Sequence, residues 1–318
     1  PGDAALSISI AGCCVPMRSL IAAVDMGATN LRVALVTAQG RVVEKHITKT
    51  EPGIDGGELT GMLLDIVSRW LASGHDVAAV GIAAPGPLDM RRGIILAPPN
   101  LPRLRDYPVV ERLSGVLGIP VALINDADAA ALGEGWLGAA RGFGSYLVVT
   151  VGTGIGSGLI LDGKLAAGAD GVGAEFGHMC IDRAGPLCSC GNRGCIEAYA
   201  SSRAMVKSAG AIVGNTGQDA PERLAAAATA GDLRAAAIFE TAGRAIGIGL
   251  YNVARLLDVR LAVIAGGLSG AGEVLLAPIR DELAGRNHHG WRRLNVVRAE
   301  LDEPGLSGAV RLCMERLV

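Results

Sequence analysis

Apolar positions fall first into a strand-like unit that occurs twice. Residues 21–24 form an unbroken apolar run ending in Asp25-Met26-Gly27-Ala28-Thr29-Asn30; a second run, residues 31–37, closes at Ala38-Gln39-Gly40. That pattern predicts strand, glycine turn, strand. Residues 147–151 likewise run into Gly152-Thr153-Gly154-Ile155-Gly156-Ser157-Gly158, followed by residues 159–161 and a turn at Asp162-Gly163. The duplication predicts two related halves, each offering a glycine-rich hairpin to a shared cleft.

Between the hairpins the pattern predicts a helix at 58–73, a buried strand at 77–83, a Pro/Gly-rich loop at 84–104, a strand at 121–124 and an Ala-rich helix from Ala127. Further helices are expected at 197–213, 221–230 and 232–257, and a buried strand at 261–265 closed by Gly266-Gly267. Alternating strands and helices imply an α/β fold with mixed sheets. At 318 residues the chain exceeds the ~250–300 at which one core stops growing, so two domains are expected. The expected division is an N-terminal extension at 1–19, a small α/β domain at 20–124, a large α/β domain at 125–305, and a last helix at 306–318 packing back on the small domain.

Composition narrows the function classes. Lys plus Arg (29) nearly balance Asp plus Glu (31), leaving no basic surplus for nucleic acid or an anionic membrane. No apolar run approaches the ~18 residues that span a bilayer. Ile10-Ala11-Gly12-Cys13 has the look of a lipobox, but no Lys or Arg precedes it, and residues 1–16 are set apart from the fold. Three of the seven cysteines crowd into residues 188–195, a metal-binding arrangement that suits a reducing cytosol.

Four groups could carry chemistry. Asp25-x-Gly27-x-Thr29-x-x-Arg32 offers a backbone anion nest with a carboxylate able to hold Mg²⁺ through water, although the same residues suit an Asx-type turn. The second hairpin is neither a dinucleotide fingerprint, since Ser157 and Leu159 stand where glycine is needed, nor a Walker loop, since Leu165 follows Lys164. Glycine weakens a strand, so its repetition at 152, 154, 156 and 158 points to close approach of a ligand. Asn125-Asp126, between a strand and a helix, suits a proton acceptor and equally a helix N-cap. Asp128 is the weaker candidate base.

The most specific set is His178-x9-Cys188-x-Cys190-x4-Cys195: three thiolates and an imidazole, a closed tetrahedral shell for a structural zinc. Glu175 and Glu197 flank these ligands and suit bidentate hydrogen bonds to sugar hydroxyls, although the same residues suit solvated loop charges. The hairpins being distant in sequence, whatever they bind is expected to be largely spared by loss of the metal if the protein stays folded.

Together these residues resemble the ROK family of sugar kinases and regulators, within the actin/hexokinase-like ATPase fold, across residues 20–312. Asp25-x-Gly27-x-Thr29-x-x-Arg32 and residues 150–158 are similar to its two phosphate motifs, Pro99-Asn100-Leu101-Pro102 to its sugar loop, and Asn125-Asp126 to its catalytic pair. Residues 168–178 with Cys188, Cys190, Cys195 and Glu197 are similar to its sugar and zinc signature. The chain departs in two places: Gly173-Ala174 precedes Glu175 where Ala-Gly is usual, and 303–308 follows the usual acidic-Ala-Gly-Leu run only loosely.

The resemblance implies an ATP-dependent hexose kinase, with glucose foremost and N-acetylhexosamine, mannose or fructose as alternatives. Asp126 would be the base; Asn100, Asn125, Glu175, His178 and Glu197 would touch sugar. Asp25, Gly27, Thr29, Arg32, Gly152, Thr153, Gly154 and Gly156 would hold the phosphates of Mg-ATP, and Gly266 and Gly267 would lie against the adenosine. It also implies a homodimer. The family's regulators carry an N-terminal helix-turn-helix, and the stretch before Ile21 is too short for one, so a kinase is expected rather than a sugar-sensing repressor.

Overall fold

The computed structural model describes residues 19–27, 30–51, 53–212, 214, 217, 219–286 and 294–316. The N-terminal extension before Ser19, Thr29, Val213 and the last two residues of the helix expected at 306–318 lie outside them.

The first sheet grows around β1 (Leu20–Met26). Ile21, Ala22, Ala23 and Val24 are fully buried, so the strand shows no alternation and reads as an unbroken apolar run. It pairs antiparallel with β2 (Asn30–Thr37) and parallel with β4 (Val77–Ala84); β3 (Val42–Lys49) and β7 (Val121–Asn125) complete the order β3-β2-β1-β4-β7. Helix α1 (Gly56–Ala72) precedes β4. It starts before the expected Glu58 because Asp55 and Glu58 form a reciprocal capping box: Asp55 Oδ1 accepts from the Glu58 N–H at 3.0 Å, and the Asp55 N–H donates to Glu58 Oε2 at 2.9 Å. The segment expected as loop holds the two-stranded β5 (Leu88–Asp89) and β6 (Ile94–Ile95), and α2 (Val109–Leu117) follows it.

Helix α3 (Asp126–Leu137) follows β7, and β8 (Tyr146–Val151) opens the second sheet. With β9 (Ile155–Leu161), β10 (Lys164–Leu165), β11 (Leu261–Ala265) and β12 (Asn295–Arg298), its order is β10-β9-β8-β11-β12. The central β8 again pairs antiparallel with the next strand and parallel with a later one, so the two sheets share one connectivity. Between β10 and β11 come α4 (Glu197–Ala200), α5 (Ser202–Ala209), α6 (Ala220–Thr229) and α7 (Leu233–Leu257); α8 (Glu273–Ala284) precedes β12, and α9 (Pro304–Arg316) ends the described chain. The single helix expected at 197–213 is broken at Ser201, whose extended backbone and side chain cap α5 by accepting from the Ala204 N–H at 3.3 Å.

The chain divides into two units, one reaching to Leu137 and taking in the segment from Glu303, the other running from Gly138 to Asp302. The division is therefore not at Asn125, and residues 303–305 do not belong to the second unit. The reason is packing: a Cβ on Gly133 of α3 would strike the carbonyl of Pro304, and one on Gly308 of α9 would strike that of Ala129. Two glycines let α3 and α9 meet backbone to backbone, which holds α3 to the first unit. Each unit has its own core, one around Leu35, Leu59, Leu63 and Ile82, the other around Phe239, Ile246, Leu250 and Leu275.

Candidate functional site

In the first unit, Asp25 and Arg32 are direct cross-strand partners of β1 and β2. Arg32 Nη1 lies 3.4 Å from Asp25 Oδ2, and its Nε lies 3.3 Å from Oε1 of Glu303, whose other oxygen meets Lys45 Nζ at 2.9 Å. The sequence motif assigns Arg32 to phosphate; within the unit its guanidinium contacts the carboxylates of Asp25 and Glu303. Lys45 was missed, because β3 carries its charges on an exposed edge strand where a Lys has no distinguishing pattern. Burial raises the Asp25 carboxyl above the usual range, against the lowering influence of Arg32. Gly27 closes the turn, its N–H donating to Asn30 O at 2.9 Å and its carbonyl accepting from Thr50 Oγ1 at 2.9 Å.

Asn125 ends β7 and Asp126 begins α3, at the carboxyl end of a parallel strand. Asn125 Oδ1 accepts from the N–H groups of Ala127 (3.0 Å) and Asp128 (3.4 Å), which is the capping function. Asp126 Oδ1 shares the Ala127 N–H at 2.9 Å, yet burial, reinforced by the charge of Asp25, pushes its carboxyl up to about 6. Asp126 is thus ionised at neutral pH and more basic than an ordinary carboxylate. Asp128 is buried inside the helix. Asn100 is exposed in the loop before α2.

In the second unit, Gly152, Thr153 and Gly154 make the β8–β9 turn, whereas Gly156 already belongs to β9 and pairs with Thr150. The turn is held from two sides. Gly152 O accepts from the Ser202 N–H at 2.8 Å, and the Ile155 N–H donates to Glu197 Oε2 at 3.0 Å. The other Glu197 oxygen accepts from Ser189 Oγ at 2.8 Å. Sequence reading missed Ser189, an unremarkable hydroxyl between two cysteines.

His178, Cys188, Cys190 and Cys195 converge, with one ligand atom from each lying within 4.8 Å of the others. The Sγ atoms of Cys190 and Cys195 stand 3.7 Å apart, and Cys188 Sγ lies 3.7 Å from His178 Nδ1. Zinc bound to sulfur at about 2.3 Å in a tetrahedron sets neighbouring sulfurs about 3.8 Å apart, so the set fits zinc and leaves no open position. The Asn192 backbone N–H draws the Cys190 thiol down to about 7, while burial pushes Cys195 up to about 12. The second ring nitrogen of His178, Nε2, lies 4.0 Å from the largely exposed Glu175 carboxylate. Ala174, just before it, has φ +61°, where the usual residue order would supply glycine.

Gly266 has φ +82°, and a Cβ there would stand 2.6 Å from Val151 O, so only glycine passes β8 at this point. Beyond it, Gly267, Leu268, Gly270 and Ala271 line a cavity of about 330 Å³ with Glu222 and Ala225 of α6. Its apolar walls and glycine backbone suit a flat heteroaromatic ring. The α6 residues carry no local signal of this, lying far from Gly267 in sequence.

The chain is similar to known proteins over nearly its whole length. It is 32% identical to a glucokinase from Thermotoga maritima over 323 residues, 95% of this chain and 99% of that one. A crystal structure of a ROK family glucokinase from Streptomyces griseus, in complex with glucose and AMPPNP, superposes with a TM-score of 0.77 at 35% identity, covering 92% of this chain and 99% of that one. A xylose repressor from Caldicellulosiruptor bescii is 29% identical over 283 residues, 84% of this chain and 70% of the repressor. The ROK family pattern matches residues 21–316, nearly everything the two sheets and their helices comprise, and the chain belongs to that family.

Proposed function

We propose that the protein is an ATP-dependent hexose kinase that transfers the γ-phosphate of Mg-ATP to the 6-hydroxyl of glucose. The observation that carries this reading is Asp126: a carboxylate raised to about 6 at a strand's carboxyl end, beside an asparagine that does the capping. Asp126 accepts the proton of the sugar 6-hydroxyl; the freed oxygen forms a bond to the γ-phosphorus, the bond from that phosphorus to the β,γ-bridging oxygen breaks, and ADP leaves. Asp25, beside Arg32, would hold Mg²⁺, which would neutralise phosphate charge, and the turn Gly152–Gly154 presents backbone to the phosphates. The cavity between α6 and Gly267–Ala271 takes the adenine. Asn100, Asn125, Glu175, His178 and Glu197 contact sugar hydroxyls. Zinc on His178, Cys188, Cys190 and Cys195 would supply structure and no chemistry.

The likeness to a xylose repressor motivates a second reading, a sugar-sensing regulator that binds without turnover. A coupled ADP-release assay over glucose, mannose, fructose, N-acetylglucosamine and xylose separates the two. The kinase reading expects glucose-dependent ADP release; sugar binding without ADP release from any of the panel would replace it with the regulator.

A further inference from the structure

The carboxylate of Glu197 has two partners on different parts of the second unit. Oε2 accepts from the backbone N–H of Ile155, the first residue after the glycine turn, at 3.0 Å. Oε1 accepts from Ser189 Oγ at 2.8 Å and stands 4.0 Å from Cys188 Sγ. Ser189 lies between two of the cysteines of the metal set, and Glu197 is two residues past Cys195. Gly154 completes the arrangement: an added Cβ would stand 2.7 Å from Glu197 Oε2, so the carboxylate reaches Ile155 only because that position has no side chain.

We infer that Ser189, Glu197 and the Ile155 N–H form a strut joining the cysteine loop to the glycine turn, with Ser189 as a positioning residue that sets affinity for the nucleotide's phosphates. The inference rests on the reading of that turn as the phosphate cradle. A carboxylate held on one oxygen alone can rotate about its terminal torsion, which is broad and roughly two-fold, whereas two hydrogen bonds on opposite oxygens fix its plane. Fixing the plane fixes the Ile155 N–H and with it the path of residues 152–154. A cradle for anions works through amides already in place, so loosening the turn weakens phosphate binding even though Ser189 touches no ligand.

The experiment measures Mg-ADP and glucose affinities by calorimetry for the parent, Ser189→Ala and Ser189→Thr, with zinc content of each by elemental analysis. Losing a hydrogen bond to a charged group should weaken Mg-ADP binding about tenfold in Ser189→Ala. The alanine variant should keep the parent's zinc, and threonine, which restores the hydroxyl, should bring the affinity most of the way back. Unchanged Mg-ADP affinity in Ser189→Ala, or no recovery in Ser189→Thr, overturns the strut. Loss of zinc from Ser189→Ala also overturns it, since the serine would then serve the metal loop itself. Turnover of glucose by the parent is read in parallel: a parent without turnover whose Mg-ADP affinity still falls in Ser189→Ala overturns the kinase reading and keeps the strut.

Discussion

A Cβ on Gly154 would stand 2.7 Å from Oε2 of Glu197, so this glycine makes room for a carboxylate as well as for any phosphate. Gly152, two residues earlier, has no atom within 4 Å of the corresponding position. The two glycines of one turn should therefore fail differently. Gly154→Val should weaken glucose and Mg-ADP together, each by about tenfold or more, because Glu197 loses its bond to Ile155. Gly152→Ala should weaken Mg-ADP and spare glucose. Calorimetric titration of both ligands checks this; a Gly154→Val protein with normal glucose affinity would free Glu197 from the sugar site.

Cys190→Ser should cost the protein its zinc, about one per chain for a single four-ligand site, and weaken glucose binding with it. Sequence distance between the cysteines and the hairpin implies that nucleotide binding is largely spared. The Glu197 link changes that expectation: Mg-ADP affinity should fall too in the zinc-free protein. Elemental analysis and calorimetry on the same preparation decide it.

Both glycine hairpins, the Asn125-Asp126 junction and the His-Cys set lie within short windows whose residue types carry the signal, and the structure keeps them as elements or clusters. What was not legible is tertiary. The assignment of α3 to the first unit depends on glycine contacts between helices far apart in sequence. Edge strand β3 is exposed along nearly its whole length and so has no buried face to mark it, and α8 carries Pro278 inside it, which reads as a break. The tie from Ile155 to Glu197 spans 42 positions.

Ala174 holds a left-handed backbone at φ +61° beside Glu175, and its carbonyl accepts from Ser157 Oγ. An L-residue there costs about 1–2 kcal/mol, and glycine removes that cost while raising the entropy of the unfolded chain. Ala174→Gly should raise stability by about 0.5–1 kcal/mol, seen as a higher urea midpoint at unchanged slope. A lower midpoint would mean the Ala174 methyl packs more usefully than its strained backbone costs.

Asp126 sets two opposed pH dependences. Its carboxyl titrates near 6 in the folded protein, above the ~3.9 of an unfolded chain, so the fold favours the protonated form. The stability this contributes is complete below the unfolded value and lost as pH rises through about 6. At pH 8, Asp126→Asn should therefore be more stable than the parent by about 2 kcal/mol, allowing for the partial exposure of the residue, with the gain vanishing toward pH 4. Activity runs the other way, since only the ionised base works: kcat/KM should fall as pH drops through about 6, and Asp25→Asn should move that limb to lower pH by removing a like charge. Urea melts and a pH–rate profile read the two effects separately.

The most direct test is the rate of ADP release with glucose and Mg-ATP, compared between the parent and Asp126→Asn at pH 8 with both ligands saturating. The expected result is glucose-dependent turnover in the parent and a kcat lower by about three orders of magnitude or more in the variant, with glucose and Mg-ADP affinities nearly unchanged. Turnover retained in Asp126→Asn would contradict the assignment of Asp126 as the base, and a parent that binds glucose without releasing ADP would contradict the kinase itself.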